Sequence, residues 1–153
     1  MHKKFLKMAV AEALASARGK GGPFGAVVVK NGRVIGRGHN AVVASSDPTA
    51  HAEMNAIRQA AKKLKRFDLS DCVLYSSSEP CPMCLAAVHW AKMKRVYYGA
   101  SRGKAAKAGF DDSFIYDVLK GKSKHKQVKL VKAEGDYGKA FEAWEANPAH
   151  KHY

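Results

Sequence analysis

Phe24-Gly25-Ala26-Val27-Val28-Val29-Lys30-Asn31-Gly32 is the stretch on which the reading of the whole chain turns. A short apolar run rich in β-branched residues predicts a buried strand, and Asn-Gly supplies the positive-φ pair that a two-residue hairpin needs. The chain is therefore expected to return from Arg33 to Val43 as a paired strand. Upstream, Gly19-Lys20-Gly21-Gly22-Pro23 marks a loop. Ahead of it, Leu6, Ala9, Val10, Ala13, Leu14 and Ala17 recur at helical spacing and predict an amphipathic first helix.

Downstream, Ser45-Ser46-Asp47-Pro48 is a second loop, followed by a predicted helix from Ala50 to Leu64, a strand over Cys72 to Ser76, a helix from Pro80 to Lys92 and a strand over Arg95 to Gly99. Strands alternating with helices between residues 24 and 99 imply right-handed crossovers and an α/β layered domain. Beyond Gly99 the chain loosens into Ala, Gly and Lys, and Phe110 to Leu119 reads as a loop and short helix. A lysine-rich linker, Lys120 to Lys126, precedes an alternating segment, Gln127 to Lys132, that predicts a strand. Tyr137 to Ala146 predicts a final helix, ended by Asn147-Pro148. At 153 residues the chain has the size of one domain, residues 1–153, and no internal repeat stands out.

Composition narrows the function classes. Hydrophobic residues make up 46% of the chain, and no apolar run approaches the length a membrane helix needs. Lys7 and Glu12 interrupt what would otherwise imitate a secretory signal, so a cytoplasmic location is expected. The net charge of +14 is what a nucleic-acid binder shows, and equally what a heavily solvated surface shows. Cys72, Cys81 and Cys84 are too few for a disulfide framework, which leaves the close pair to a metal site or a redox pair.

The chemistry concentrates in His51-Ala52-Glu53 and Pro80-Cys81-Pro82-Met83-Cys84. Cysteines three apart at a helix start project from one face of the first turn, where unpaired amides and the positive dipole end favour thiolates. Two thiolates and the His51 imidazole make three ligands; structural zinc sites close with four, whereas catalytic ones leave a place for water. Zinc lowers the pKa of bound water from 15.7 to about 7, which supplies hydroxide at neutral pH. Glu53 is the candidate proton carrier, although residues two apart on a regular helix do not share a face. Alone, His-x-Glu means little and Cys-x-x-Cys divides between metal, redox and incidental roles. Together, with a proline before the first cysteine and a strand between, they match the zinc deaminase signature H-x-E…P-C-x-x-C.

Thr49 to Arg58 and Ser78 to Cys84 resemble the cytidine-deaminase-like superfamily. Within it, Gly22-Pro23-Phe24-Gly25-Ala26, the segment Ala108 to Tyr116 containing Asp111-Asp112, and the terminal Phe141-x-x-Trp144…Tyr153 are similar to the bacterial guanine deaminase family. The resemblance covers nearly the whole chain and implies a three-layer α/β/α fold, a central mixed sheet flanked by helices. It implies zinc on His51, Cys81 and Cys84, with Glu53 and Asp112 as the catalytic proton carriers. It also places Phe24, Asn40, Trp90 and Tyr153 around the substrate, a purine base converted from guanine to xanthine and ammonia. A homodimer that exchanges its C-terminal segments, here residues 127–153, is a further implication. The final stretch, with Pro148, departs from the pattern.

Each implied role has a plainer counterpart. Asp111-Asp112 reads equally as a helix N-cap, Phe24 and Trp90 as core, Asn40 as a turn residue and Cys72 as a small buried hydrophobe. Three functions follow: a guanine deaminase; a tRNA adenosine or cytosine deaminase using the same chemistry, which the basic surface allows but the Asp-Asp segment disfavours; and a non-catalytic zinc or RNA-binding module.

Overall fold

The computed structural model describes residues 1–122, 128–135 and 137–152. A first helix, α1 (His2–Arg18), leads into the hairpin β1 (Gly25–Lys30) and β2 (Arg33–His39). Then follow α2 (Val42–Ser45), α3 (Ala52–Leu64), β3 (Val73–Ser78), α4 (Pro82–Trp90) and β4 (Val96–Ala100). The chain ends with α5 (Arg102–Lys107), α6 (Ser113–Leu119) and α7 (Lys139–Ala146).

The strands form one mixed sheet in the order β2-β1-β3-β4, with β1 antiparallel to both neighbours and β3 parallel to β4. Antiparallel β1 and β2 need only the Asn31-Gly32 turn, where φ is 47° and 72°, while parallel β3 and β4 need the α4 crossover. Alternation along β1 sorts the core into two layers. Ala26 and Val28 face α3 and α4 with Ala52, Ala56, Leu74 and Val88, whereas Val27 and Val29 face α1 with Phe5 and Tyr75. The result is helices on both sides of a central sheet.

Glycine sets how close the helices come. A Cβ at Gly38 of β2 would collide with the Ala52 carbonyl of α3, and one at Gly25 with the backbone of α1 at Ala9 and Ala13. The small stripe Ala52, Ala56 and Ala60 completes that approach, and all three are fully buried.

Several boundaries differ from the sequence reading. The stretch Arg33 to Val43 is not one strand: β2 stops at His39, because the Asn40 side chain accepts the Val42 amide at 3.3 Å and turns the chain into α2. The predicted helices begin two residues late, at Ala52 and Pro82, since His51 and Cys81 are extended N-cap residues. On α1 the buried residues are Phe5, Ala9, Ala13 and Ser16, while Val10 and Leu14 of the predicted face are 41% and 49% exposed. The loose segment after Gly99 contains α5. Residues 128–132 form no strand; Val128, Leu130 and Val131 are exposed and have no sheet neighbour among the described residues, and Gln127 lies outside those residues. The last helix starts at Lys139 rather than Tyr137.

Candidate active site

Two helix starts meet at the end of the sheet where β3 finishes. His51 is the N-cap residue of α3 and Cys81 that of α4, both extended, with φ −69° and −67°. Neither side chain caps its own helix, so both are available for other bonds. Pro82 occupies the first turn of α4, where its missing N–H costs nothing. Cys84 follows in the same turn, fully buried.

His51 Nδ1 lies 3.5 Å from Cys81 Sγ and 3.6 Å from Cys84 Sγ. A tetrahedral ion with metal–sulfur bonds of about 2.3 Å and metal–nitrogen bonds of about 2.0–2.1 Å has N···S edges of about 3.5–3.6 Å. The donor set therefore fits zinc in both chemistry and spacing, and the three donor atoms all lie within 4.8 Å of one another. The protons report the same preference. A hydrogen bond from Cys84 and, against burial, one from His51 hold the Cys81 thiol down at about 4. Cys84 is pushed up by sharing its proton with Cys81, by burial and by Glu53. His51 is raised, chiefly by its bond to Cys81. A divalent cation binds both sulfurs as thiolates and would displace the protons they carry.

Glu53 reaches the same place because His51 is off the helix. The regular-helix objection to a His-x-Glu pair lapses once the first residue is an extended N-cap. Glu53 is 5% exposed; its Oε1 accepts the Ser76 hydroxyl at 2.9 Å, and its Oε2 lies 3.5 Å from Cys84 Sγ. Burial raises its pKa, against the opposing bonds of its own backbone and Ser76. A carboxyl poised toward protonation can both take and return a proton.

These groups open onto a cavity of about 540 Å³. Its lining includes Phe24, Asn40, His51, Glu53, Cys81 and Asp112. Phe24 meets Phe110 edge-on, with centroids 4.9 Å apart at 87°, and the pair forms an apolar wall. Asn40 Oδ1 accepts the Gly22 and Val42 amides, each at 3.3 Å, so its amide N–H groups are left for other acceptors. Asp112 stands at the N-cap of α6 without capping it; Asp111 accepts the Ser113 amide instead, at 2.9 Å. Capping thus explains Asp111 and not Asp112. Burial raises the Asp112 pKa, partly offset by Arg102.

One expected residue is elsewhere, and another falls outside the described residues. Trp90, at the end of α4, is 65% exposed and does not line the cavity, and Tyr153 lies outside the described residues. The sequence reading missed Glu79 and Arg102, which line the cavity as an ion pair with Nε to Oε1 at 3.6 Å. No pattern announces Arg102, one of several cations in a segment read as loose. Cys72 is buried on the sheet side of the core, as a small hydrophobe would be.

The family described as the cytidine and deoxycytidylate deaminase zinc-binding region matches residues 1–100. The chain is 48% identical over 145 residues to guanine deaminase of Bacillus subtilis, covering 94% of this chain and 93% of that one. The X-ray structure of guanine deaminase from Bacillus subtilis superimposes with a TM-score of 0.95 at 46% identity, over 100% of this chain and 99% of that one. A tRNA-specific adenosine deaminase of Agrobacterium fabrum is 41% identical over 107 residues, or 69% of this chain and 70% of that protein.

Proposed function

Because the chain belongs to the zinc-binding family of cytidine and deoxycytidylate deaminases, we propose that it hydrolyses guanine to xanthine and ammonia. The observation that carries the choice of substrate is the charge of the cavity. Glu53, Glu79, Asp111 and Asp112 all line it, and its lining arginine, Arg102, is already paired with Glu79. The carboxylates at that mouth would repel a phosphodiester, whereas they would not repel a neutral base. Similarity that runs through the C-terminal third favours the same reading, since the tRNA-specific relative matches only 69% of the chain.

When bound by His51, Cys81 and Cys84, zinc supplies a water activated for attack at the ring carbon that bears the amine. Glu53 takes the proton of that water and passes it to a ring nitrogen, which makes the carbon a better electrophile. Asp112, across the cavity, delivers a proton to the amine, which departs as ammonia. Water adds its oxygen to the ring carbon; one of its hydrogens ends on the ring nitrogen through Glu53, and the other leaves the new hydroxyl as the carbonyl forms and returns to Asp112, replacing the proton given to ammonia. Phe24 packs on the base and Asn40 donates to one of its acceptors, which together fix its orientation. Tyr153 would help close the pocket, of its own subunit or of a partner, and Trp90 borders it only if a second subunit brings it there.

The same reading extends to assembly. Val128, Leu130 and Val131 are 80%, 94% and 73% exposed, Phe141 is 73% exposed, and β4 is an edge strand. An alternating apolar segment without a sheet partner among the described residues, in a chain whose sheet has an open edge, suits a homodimer that exchanges residues 127–153. Free thiols at the metal site suit a reducing compartment such as the cytoplasm.

The deciding experiment is an ammonia-release screen of the zinc-loaded protein on free bases, nucleosides and tRNA. Stoichiometric xanthine and ammonia from guanine is expected. Inosine formed in tRNA while guanine stays untouched would replace this reading with the tRNA one. Bound zinc with no ammonia from any substrate would leave a non-catalytic module.

A further inference from the structure

Arg102 stands between Glu79, in the loop that leads to the ligand Cys81, and the segment that carries Asp112. We propose that Arg102 is a positioning residue that clamps the Asp112 segment over the metal site, gripping Glu79 with one part of its structure and Tyr116 with another. The kinetic part of this proposal rests on the guanine reading above; the structural part does not.

The grip on Glu79 has two points. The Arg102 backbone amide donates to Glu79 Oε2 at 3.1 Å, and its Nε faces Oε1 at 3.6 Å. Glu79 is itself fixed, since its amide donates to the Ala100 carbonyl at 2.8 Å, and it lies two residues before the ligand Cys81. The grip on α6 is made by the guanidinium carbon, 4.2 Å from the centre of the Tyr116 ring. A planar guanidinium can stack through its face while its edge makes hydrogen bonds; an ammonium cannot do both.

The Asp112 segment needs such a hold. No residue of α6 is buried, and its N-cap side chain makes no capping bond. Among the described residues a second aromatic tether, Phe110 edge-on to Phe24, precedes the helix. Arg102 and Glu79 side chains are 38% and 32% exposed, so their ion pair alone would hold little. Joined to the backbone bond and the ring stack, it ties the end of β3, the start of α5 and the middle of α6 together. The cation also favours the ionised forms of Asp112 and Asp111, acting to lower the pKa of each.

The test uses the full-length zinc-loaded chain and its Arg102→Ala, Arg102→Lys and Tyr116→Ala variants. Hydrogen exchange read on peptides covering 111–119 should quicken at least tenfold in Arg102→Ala, while peptides covering α4 and the zinc content stay as in the parent. With guanine, kcat should fall 10- to 100-fold and KM should move less, the pattern of a misplaced proton carrier. Arg102→Lys should resemble Arg102→Ala, because it keeps the charge and loses the stack. Adding Tyr116→Ala to Arg102→Ala should cost little more than either alone. Unchanged exchange over 111–119 in Arg102→Ala overturns the clamp, and so does an Arg102→Lys enzyme that behaves as the parent. If the parent releases no ammonia from guanine, the functional reading fails while the exchange measurement still decides the clamp.

Discussion

Replacing Glu53 by Gln separates the chemistry from the scaffold. The side chain is 5% exposed, with Oε1 on the Ser76 hydroxyl at 2.9 Å and Oε2 3.5 Å from Cys84 Sγ. Glutamine keeps the volume and an oxygen for Ser76, and its amide N–H can face the Cys84 sulfur. Nothing in the packing has to move. What is lost is the capacity to take and return a proton, which is typically worth about 10²–10⁴-fold in rate, or about 2.7–5.4 kcal/mol of transition-state stabilisation. The expected variant binds zinc stoichiometrically by elemental analysis and has a KM for guanine close to that of the parent. Its kcat for xanthine formation is at least 100-fold lower. Because burial disfavours the ionised carboxylate, the neutral amide should leave the melting temperature unchanged or raise it. A Glu53→Gln protein with full zinc and a kcat within threefold of the parent would remove Glu53 from proton transfer and refute the mechanism built on it.

Three other outcomes test the fold, the core and the assembly. Gly38→Ala places a Cβ against the Ala52 carbonyl at the start of α3, so it should cost about 2–3 kcal/mol in urea unfolding and weaken zinc binding through the displaced His51; parent-like values in both would show that the helix can yield. Cys72 is 2% exposed, and burial, aided by Asp71, pushes its thiol up to about 11. An unfolded thiol ionises near about 8.5, so between that pH and 11 the unfolded chain has lost a proton the folded one keeps. Stability should fall with rising pH by up to about 1.4 kcal/mol per unit. Cys72→Ala should show a shallower decline in urea midpoints from pH 8 to 10.5, and parallel curves would contradict this. Truncation after Lys132 removes α7 with its exposed Phe141; it should abolish activity and dimerisation, read by light scattering, yet leave zinc bound. An active truncated protein would exclude a pocket shared between subunits.

Local patterns were legible wherever one short segment determines its own geometry. Asn31-Gly32 predicted a hairpin because its positive φ angles are a property of those two residues. Cys81 and Cys84 were legible as a pair because a single helical turn sets their spacing. Features that depend on partners were not. The end of β2 is decided by Asn40 bonding to Gly22 and Val42, a contact between two loops. The alternation over 128–132 is a real strand pattern, but a strand needs a neighbour, and none is present among the described residues of one chain. Helix α5 was missed because its glycine and lysines give no apolar stripe; it is held at its start by the Glu79 carboxylate that accepts the Arg102 amide.

His51, Cys81 and Asp112 share one structural circumstance: each is the N-cap residue of its helix, and none caps it. Serine, threonine, asparagine or aspartate at such a position normally bonds to the free amides of the first turn, and losing that bond costs about 0.5–2 kcal/mol. Here the residue that begins each helix is turned away from it and lines the same cavity. The extended backbone at His51 and Cys81 is what allows this, since a side chain on the helix itself would point along the helix surface rather than past its end. The positive dipole ends of α3 and α4 lie beside that cavity, where thiolates, a carboxylate and the negative charge developing in the reaction would gather. Stability forgone at the starts of α3 and α4 thus becomes affinity for a metal ion and for a charge-developing transition state. It is also why Glu53, one residue into α3, could be read from the sequence only together with His51: the function belongs to the boundary of the helix and not to its periodicity.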